Sequence, residues 1–392
     1  MSGNSFGKAL VLTTFGESHG EAVGGILDGF PPNIAIPLDF IQSELDRRKP
    51  GGSSGVSSRG ETDRIEILSG IFEGRSTGAP IAFLVQNRDH RSEDYDELRK
   101  IYRPSHADFT WQHKYGIRDH RGGGRASARE TLARVAGGAF AKLLLNSAGI
   151  RVVASTDQIG PFLIVREPSD PAAGLPGVST GTGVNHPDRE FSSIEKPRST
   201  YPSPETGIHT PVRYLFSDPM VQHYLEQMMA EGDSTGAVVF CSVTGVPAGL
   251  GEPVFDKLQA DLAQAVMSIN AARGFEYGSG FDAAFMRGSE HNDPFTFKEG
   301  RIRTTTNRSG GIQGGISNGE EIFFRVAFKP IPSLKIPQQT VDKEGRSVIL
   351  KGSGRHDVCV VPRVLPVVEA MTALVIADHL IRYEATKALK GE

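Results

Sequence analysis

The residues with the most chemistry in them stand between Arg121 and Glu130, reading Arg-Gly-Gly-Gly-Arg-Ala-Ser-Ala-Arg-Glu. Three successive glycines let a backbone take φ > 0 and lie close against a ligand. Arg121, Arg125 and Arg129 recur every fourth residue, and guanidinium forks match the oxygens of phosphates and carboxylates. Ser127 and Glu130 have the S-x-x-E spacing of a capping box, which predicts a helix beginning near Ser127. The glycines then feed a helix N-terminus, whose unpaired N–H groups and dipole favour an anion. A solvated basic helix end behind a turn is the plain alternative for the glycines alone; the capping box and the three arginines favour the anion site. No Gly-Lys-Ser/Thr follows, and no G-x-G-x-x-G follows a strand, so this is neither a P-loop nor a dinucleotide turn.

Two histidines precede that stretch on separate loops. His19 lies in Phe15-Gly-Glu-Ser-His-Gly-Glu21 between two predicted strands, and His106 lies in Tyr102-Arg-Pro-Ser-His-Ala-Asp108. Either alone reads more simply as structural, but a pair ahead of one anion site is what general acid chemistry requires. Phe109, Trp111 and Tyr115 read as packing residues. Arg47-Arg48-Lys49 ends a predicted helix before a Gly/Ser loop; these cations either satisfy the helix dipole or hold an anionic substrate. A second glycine run, Ser309 to Gly319, is either a bed for a flat ligand or a wide turn between strands.

The elements that must carry these groups are legible in part. Leu132, Val135, Ala136, Ala139, Phe140, Leu143 and Leu144 have the three-and-four spacing of a buried helix face, stopped by Gly149. Strands are predicted at 9–14, 23–27, 65–69, 81–85, 150–154, 236–246, 281–287 and 322–328. Helices are predicted at 39–48 (capped by Asp39, stopped by Pro50), at 220–231, from Pro253 to the Asn270-Ala271 region, and from Leu365 to near the end. Residues 87–100 read as a surface loop or short exposed helix. Asp378, on the apolar stripe of the last helix, reads as a buried capping partner for some loop. Residues 155–215, rich in Pro, Gly, Ser and Thr, read as an inserted surface excursion with too few apolar residues for a second core.

At 392 residues with 38% hydrophobic and 23% charged residues, the chain has the composition of an ordinary globular protein of one large domain or two. A net charge of −3 gives no support to a nucleic-acid partner, yet fourteen arginines lie between Arg47 and Arg134, which suggests a local basic cavity. Cys241 and Cys359 have no paired spacing, so they read as core thiols in a reducing compartment, with no metal expected. Neither a leader pattern nor an 18-residue apolar run is present, so a cytoplasmic location and no membrane contact are expected.

Several separated stretches resemble the motifs of the chorismate synthase family across most of the chain. They are Gly16-Glu-Ser-His-Gly20 with Asp28-Gly-Phe-Pro31, Gly124-Arg-Ala-Ser-Ala-Arg129, and Arg355-His-Asp357 with Glu369-Ala-Met371. Arg103-Pro-Ser-His-Ala-Asp108, and Gly274 with Gly280-Phe-Asp282, also resemble the family's pattern. The resemblance implies an α+β, single-domain β-α-β sandwich spanning 1–392, assembled as a homotetramer. It implies elimination of phosphate from 5-enolpyruvylshikimate 3-phosphate to give chorismate, with reduced FMN and no net redox change. By the same resemblance His19 would be the acid near the departing phosphate, His106 would stand by the flavin, and Asp357 would relay a proton. Ser18, Arg48, Arg103, Ser127, Arg129 and Arg355 would hold the substrate. FMN would lie against Arg125, Ala126, Ser127, Asn270, Ala271, Gly314, Lys329, Pro330, Ile331, Pro332, Ser333 and Arg355. Arg48 and Ser54 stand where NADP contacts would fall, although many bacterial relatives carry an arginine in place of Ser54. NADPH would act as an indirect reductant through an external flavin reductase, since no dinucleotide fingerprint is visible. The rival readings are an NADPH-dependent flavin reductase and a non-catalytic anion-binding protein; turnover of substrate with reduced FMN separates them.

Overall fold

A helix buried on nearly every side needs partners all round it. The central helix α3, Thr131–Ser147, is of this kind: Leu132, Val135, Ala136, Ala139, Phe140 and Leu145 are all buried, and so is Lys142. The computed structural model, which describes residues 3–49, 63–87, 97–164, 218–352 and 357–391 with the backbone of 178–180, supplies those partners. The C-terminal helix Leu365–Lys390 lies alongside α3. Their close approach depends on Gly138, where a Cβ would come within 2.3 Å of the Ala370 methyl.

Two antiparallel sheets cover this helix pair. One has the spatial order β1 (Ser5–Phe6), β2 (Val11–Gly16), β3 (Ala22–Asp28), then Ile81–Gln86 and β4 (Ile65–Ile67). Ile81, Phe83 and Val85 alternate inward, and Phe83 and Phe30 both meet Phe140 of α3, with ring centroids 6.0 and 6.1 Å away. The other sheet runs Val178–Thr180, Phe162–Ile164, Arg151–Ile159, Ala237–Thr244, Ile322–Phe328 and Ala272–Tyr277. Cys241 stands opposite Ala154 on one neighbour and Phe324 on the other, and all three are buried. The result is the expected α+β sandwich, sheet on helices on sheet.

Polar groups lock the layers. Asp378 caps a loop as expected: its Oδ1 accepts the backbone N–H of Lys8, Ala9 and Leu10 at 2.8, 2.7 and 2.9 Å. Lys142 of α3 lies between Glu44 of α1 (Leu38–Arg47) and Glu369, donating to Glu369 at 2.6 Å. Glu369 also takes both Arg47 nitrogens, at 2.6 and 2.8 Å, and the Ala154 N–H at 2.9 Å. Burial opposes ionisation of Glu369, but Lys142 and Arg47 outweigh it and hold the carboxyl below its ordinary range.

Several boundaries differ from expectation. α1 begins at Leu38 with Pro37 in the capping position and no side-chain cap, so Asp39 falls inside the first turn; Pro50 lies outside the described residues. The helix expected from Pro253 starts at Leu258. Residues 281–287 are not a strand: Gly278 and Gly280 take left-handed φ of 55° and 53°, and Gly280–Phe285 coils into a 3-10 turn. The strand there is Ala272–Tyr277, directly after the helix end expected near Asn270-Ala271. The strand expected to stop at Ala154 runs to Ile159, so the start of the supposed excursion is sheet; residues 165–177 and 181–217 lie outside the described residues. Phe109 and Tyr115 are half-exposed on a short helix α2, Asp108–Tyr115, rather than packed into the core.

Candidate active site

Gly122, Gly123 and Gly124 all adopt left-handed φ, 58°, 86° and 54°, a run that side chains resist. Their backbone passes directly under both histidines. A Cβ on Gly122 would lie 2.5 Å from Nε2 of His19 and 2.8 Å from the Ser18 hydroxyl; one on Gly123 would lie 3.5 Å from Nε2 of His106 and 3.8 Å from Nη2 of Arg103. Two loops far apart in sequence are thus seated on adjacent glycines.

Each histidine is held from behind. The His19 turn is closed by Gly20 N–H donating to Glu17, and Asn87 donates to the carbonyls of Glu17 and Gly20 at 2.9 and 2.8 Å. Ser18 donates to the Arg121 carbonyl at 3.3 Å. Behind His106 stands Asp108, only 2% exposed, whose Oδ1 lies 3.0 Å from Nδ1 of the ring. Arg103 donates to Asp108 through Nε at 2.8 Å and Nη2 at 2.9 Å, and Arg118 pairs with the same carboxylate at 2.8 Å. Burial pushes the Asp108 carboxyl upward, but the hydrogen bonds from Arg103 and His106 dominate and hold it far below the usual carboxylate range. A hollow of about 210 Å³ opens here, bordered by His106, Glu17, Trp111, Arg118 and Gly123.

The arginines divide into two groups. Arg48, at the C-terminal cap of α1, and Arg129 converge on Asp63, with Nη2 atoms 3.7 and 3.2 Å from its two oxygens; Arg129 Nε also donates to Asn87 at 2.5 Å. Arg121 and Arg125 do not join them. Arg121 pairs with Asp119 at 2.9 Å, and the Arg125 guanidinium turns back to Thr14 and Gly16 of the first sheet and to Asn4 just before it. The reason is local. Instead of one helix from Ser127 there are two 3-10 turns, Gly124–Ala126 and Ala128–Glu130, broken by extended Ser127, so the every-fourth-residue row is not kept on one face. Ser127 does cap, accepting the Arg129 N–H at 3.4 Å, but Glu130 pairs with Arg134 and does not close the box.

On the other flank, Asn270 donates to the Ala126 carbonyl at 2.9 Å, while its buried Oδ1 accepts no hydrogen bond among the described residues. Ala271 next to it holds a left-handed φ of 70° and accepts the Lys329 N–H at 3.0 Å. Lys329 reaches over to donate to the Ser105 carbonyl at 2.8 Å, one residue before His106. Burial, aided by the charge of Arg273, lowers its pKa. Pro330 to Ser333 continue from it, with the Ile331 carbonyl taken by Ser234. The Thr235 N–H donates to the Val358 carbonyl, next in sequence to Asp357, whose carboxylate lies 3.3 Å from Arg363. Gly314 sits apart, in the turn beside the start of Leu258–Met267, the helix that leads at its other end into Asn270. Ser54 and Arg355 lie outside the described residues.

Asp63, Asn87 and Asp108 received no role from sequence. Asp108 carried a signal, a carboxylate two residues after a histidine and five after an arginine on a proline turn. Asp63 and Asn87 carried none, because they reach the site only through the pairing of β4 with Ile81–Gln86.

The chain matches the family model for chorismate synthase over residues 10–381. It is 50% identical to the chorismate synthase of Opitutus terrae over 385 residues, 97% of this chain and 98% of the relative. It is likewise 50% identical to that of Bacteroides fragilis over 378 residues, 96% and 98% of the two chains. A crystal structure of chorismate synthase, 29% identical, superposes with a TM-score of 0.67 and covers 96% of this chain and 93% of that one.

Proposed function

Since the chain belongs to the chorismate synthase family, we propose that the space over Gly122 and Gly123, between His19 and His106, is where 5-enolpyruvylshikimate 3-phosphate is held as it loses phosphate. The enzyme is a carbon–oxygen lyase of the shikimate pathway to the aromatic amino acids, releasing chorismate and phosphate by 1,4-anti elimination. The observation that carries the placement is the seating of both imidazoles on one glycine run with guanidinium groups on either side. A substrate with two carboxylates and a phosphate calls for that arrangement, since permanently charged forks neutralise it without exchanging protons.

Within this reading Arg48, Arg103, Arg129 and Arg355 bind the anionic groups, and Ser18 and Ser127 offer hydroxyls beside them. His19, with a small residue on each side, is the acid that meets the departing phosphate.

The chain also has a fitting place for reduced FMN. The orphan Oδ1 of Asn270 is a buried acceptor awaiting a donor, and Ala126, Ala271, Lys329 and the His106 loop are already linked around it. Reduced FMN, when bound, supplies the electron density that lets a weakly acidic hydrogen and an allylic phosphate leave together. Lys329 through Ser333, Asn270, Ala271, Ser127 and Arg355 would hold it, and Arg125 would contribute its main chain, the guanidinium being engaged by the first sheet, whereas Gly314 is set apart from this group. His106 faces it, and Asp357 relays the proton.

Flavin reduction is assigned to an outside reductase using NADPH, with Arg48 and Ser54 as the candidate contacts if the enzyme instead uses NADPH itself. Assembly is as a homotetramer. Phe281, Phe285, Phe295, Phe297 and Ile302 are all more than 60% exposed, on segments tied together through Ser279, Arg308 and Asp293, and such a patch suits burial against a second copy. Two buried thiols, with Cys359 pushed up to about 11, suit the cytoplasm; among the described residues no helix is long and apolar enough to cross a membrane.

The test is anaerobic incubation with substrate and chemically reduced FMN, following chorismate and phosphate together. Equimolar products support the reading; no release, or equal release with oxidised FMN, overturns it. A parallel reaction with FMN and NADPH as the sole reductant decides who reduces the flavin.

A further inference from the structure

We propose that Asp108 is a positioning residue for the elimination: it occupies Nδ1 of His106, so that Nε2, the nitrogen turned toward Gly123, alone exchanges a proton with whatever binds there. The inference rests on the reading of His106 above and adds the residue through which that histidine is set.

The geometry leaves little room for another arrangement. Nδ1 of His106 lies 3.0 Å from Oδ1 of Asp108 and 3.0 Å from Nη2 of Arg103. If Arg103 were the donor, a bare ring nitrogen would face a carboxylate oxygen at hydrogen-bond distance, lone pair against anion. With the proton on Nδ1 that contact becomes a charge-assisted hydrogen bond, and Arg103 Nη2 still has Asp108 Oδ1 at 2.9 Å as its acceptor. The carboxylate cannot swing away. Its Oδ2 takes the Arg103 main-chain N–H at 3.1 Å and Nε at 2.8 Å, and Arg118, itself buried to 4% side-chain exposure, attracts Oδ1 as an ion pair, Nη1 lying 2.8 Å away. Arg118 is in turn fixed by donating to the Leu98 carbonyl at 2.7 Å. Among the described residues the other charged groups around the ring are Glu17, Asp119 and Arg125 across the hollow and Lys329 over Ser105; Arg125 is engaged by Thr14 and Gly16, and none of the four takes Nδ1 in place of Asp108.

The test combines a double-mutant cycle with a measurement on the flavin-free protein. Asp108→Asn should lower kcat by about a hundredfold with KM near its starting value, because the amide no longer demands the Nδ1–H form. In a His106→Ala background the same change should cost nothing further. In the flavin-free protein labelled with ¹⁵N-histidine, the His106 ring should show a protonated Nδ1 and a bare Nε2 when neutral, and Asp108→Asn should mix the two forms. Should Asp108→Asn not fold, Asp108→Glu, which keeps the charge, should keep the Nδ1–H form. A wild-type kcat for Asp108→Asn beside an inactive His106→Ala removes Asp108 alone. Additive losses, or a ring pattern unmoved in Asp108→Asn, reduce it to a structural residue. Full activity of His106→Ala removes both readings.

Discussion

Gly122 and His19 are in direct contact: a methyl group on Gly122 would fall 2.4 Å from Cδ2 of the imidazole and 2.5 Å from Nε2. The glycine is therefore required twice, for its φ of 58° and for the space the ring occupies. Gly122→Ala should displace His19 and lower kcat/KM by about a hundredfold, the usual consequence of misplacing a reacting group by an ångström. Gly149→Ala is the control. It has the same left-handed strain, φ 75°, with nothing within 4 Å of the added methyl, so its melting temperature should fall while its rate stays near the parent's.

Arg129 is predicted to act as a fork and not merely as a charge. It spans Asn87 through Nε and Asp63 through Nη2, a geometry an ammonium cannot copy. Arg129→Lys should raise KM for the phosphorylated substrate by about tenfold or more, equivalent to about 1.4 kcal/mol. An unchanged KM in steady-state assays with reduced FMN would place Arg129 outside substrate binding.

Lys142 separates two carboxylates in the middle of the helix layer. Lys142→Met leaves Glu44 and Glu369 buried with Arg47 as their remaining cation and should cost about 3–5 kcal/mol in urea unfolding. Lys142→Met combined with Glu44→Gln should recover part of that loss, because the uncompensated charge is then gone. A double variant no better than the single would refute the electrostatic account.

His379 gives the protein an acid limit. Burial, partly offset by its bond to Asp261 at 2.8 Å, lowers its pKa from the ordinary 6.5. The unfolded chain then takes up a proton that the folded one refuses, so the stability from neutral His379 is complete above about pH 6.5 and declines below it, by at most about 1.4 kcal/mol per pH unit. The depressed carboxyls of Glu369 and Asp108 act in the same direction at lower pH. His379→Gln should flatten thermal stability as pH falls below about 6.5; an unchanged slope there would assign the acid sensitivity to the carboxylates alone.

Much of this was legible without coordinates. The apolar period of α3, the strand expected at 81–85, and the place of Asp378 on a buried stripe are local patterns, and they survive because burial acts on residues two, three or four apart. The misreadings share one cause. The row of arginines at 121, 125 and 129 assumed a helix that left-handed glycines and an extended Ser127 interrupt, and the supposed strand at 281–287 ignored Gly278 and Gly280, whose backbone turns the chain aside.

By itself, then, the sequence determined which groups are present: two histidines on loops, an excess of arginine in less than a quarter of the chain, a glycine run able to pass under bulky rings, and motifs that name the family. Tertiary structure decided which of them meet. Pairing of β4 with Ile81–Gln86 carries Asp63 and Asn87 to Arg129, and the packing of α1 on α3 brings Arg48 to the same carboxylate. Asp108, not the spacing of charges, selects which face of His106 is presented. Periodicity reports how a residue relates to its own element, whereas a catalytic contact depends on loops from different elements, whose meeting is set by long-range packing that no local pattern encodes.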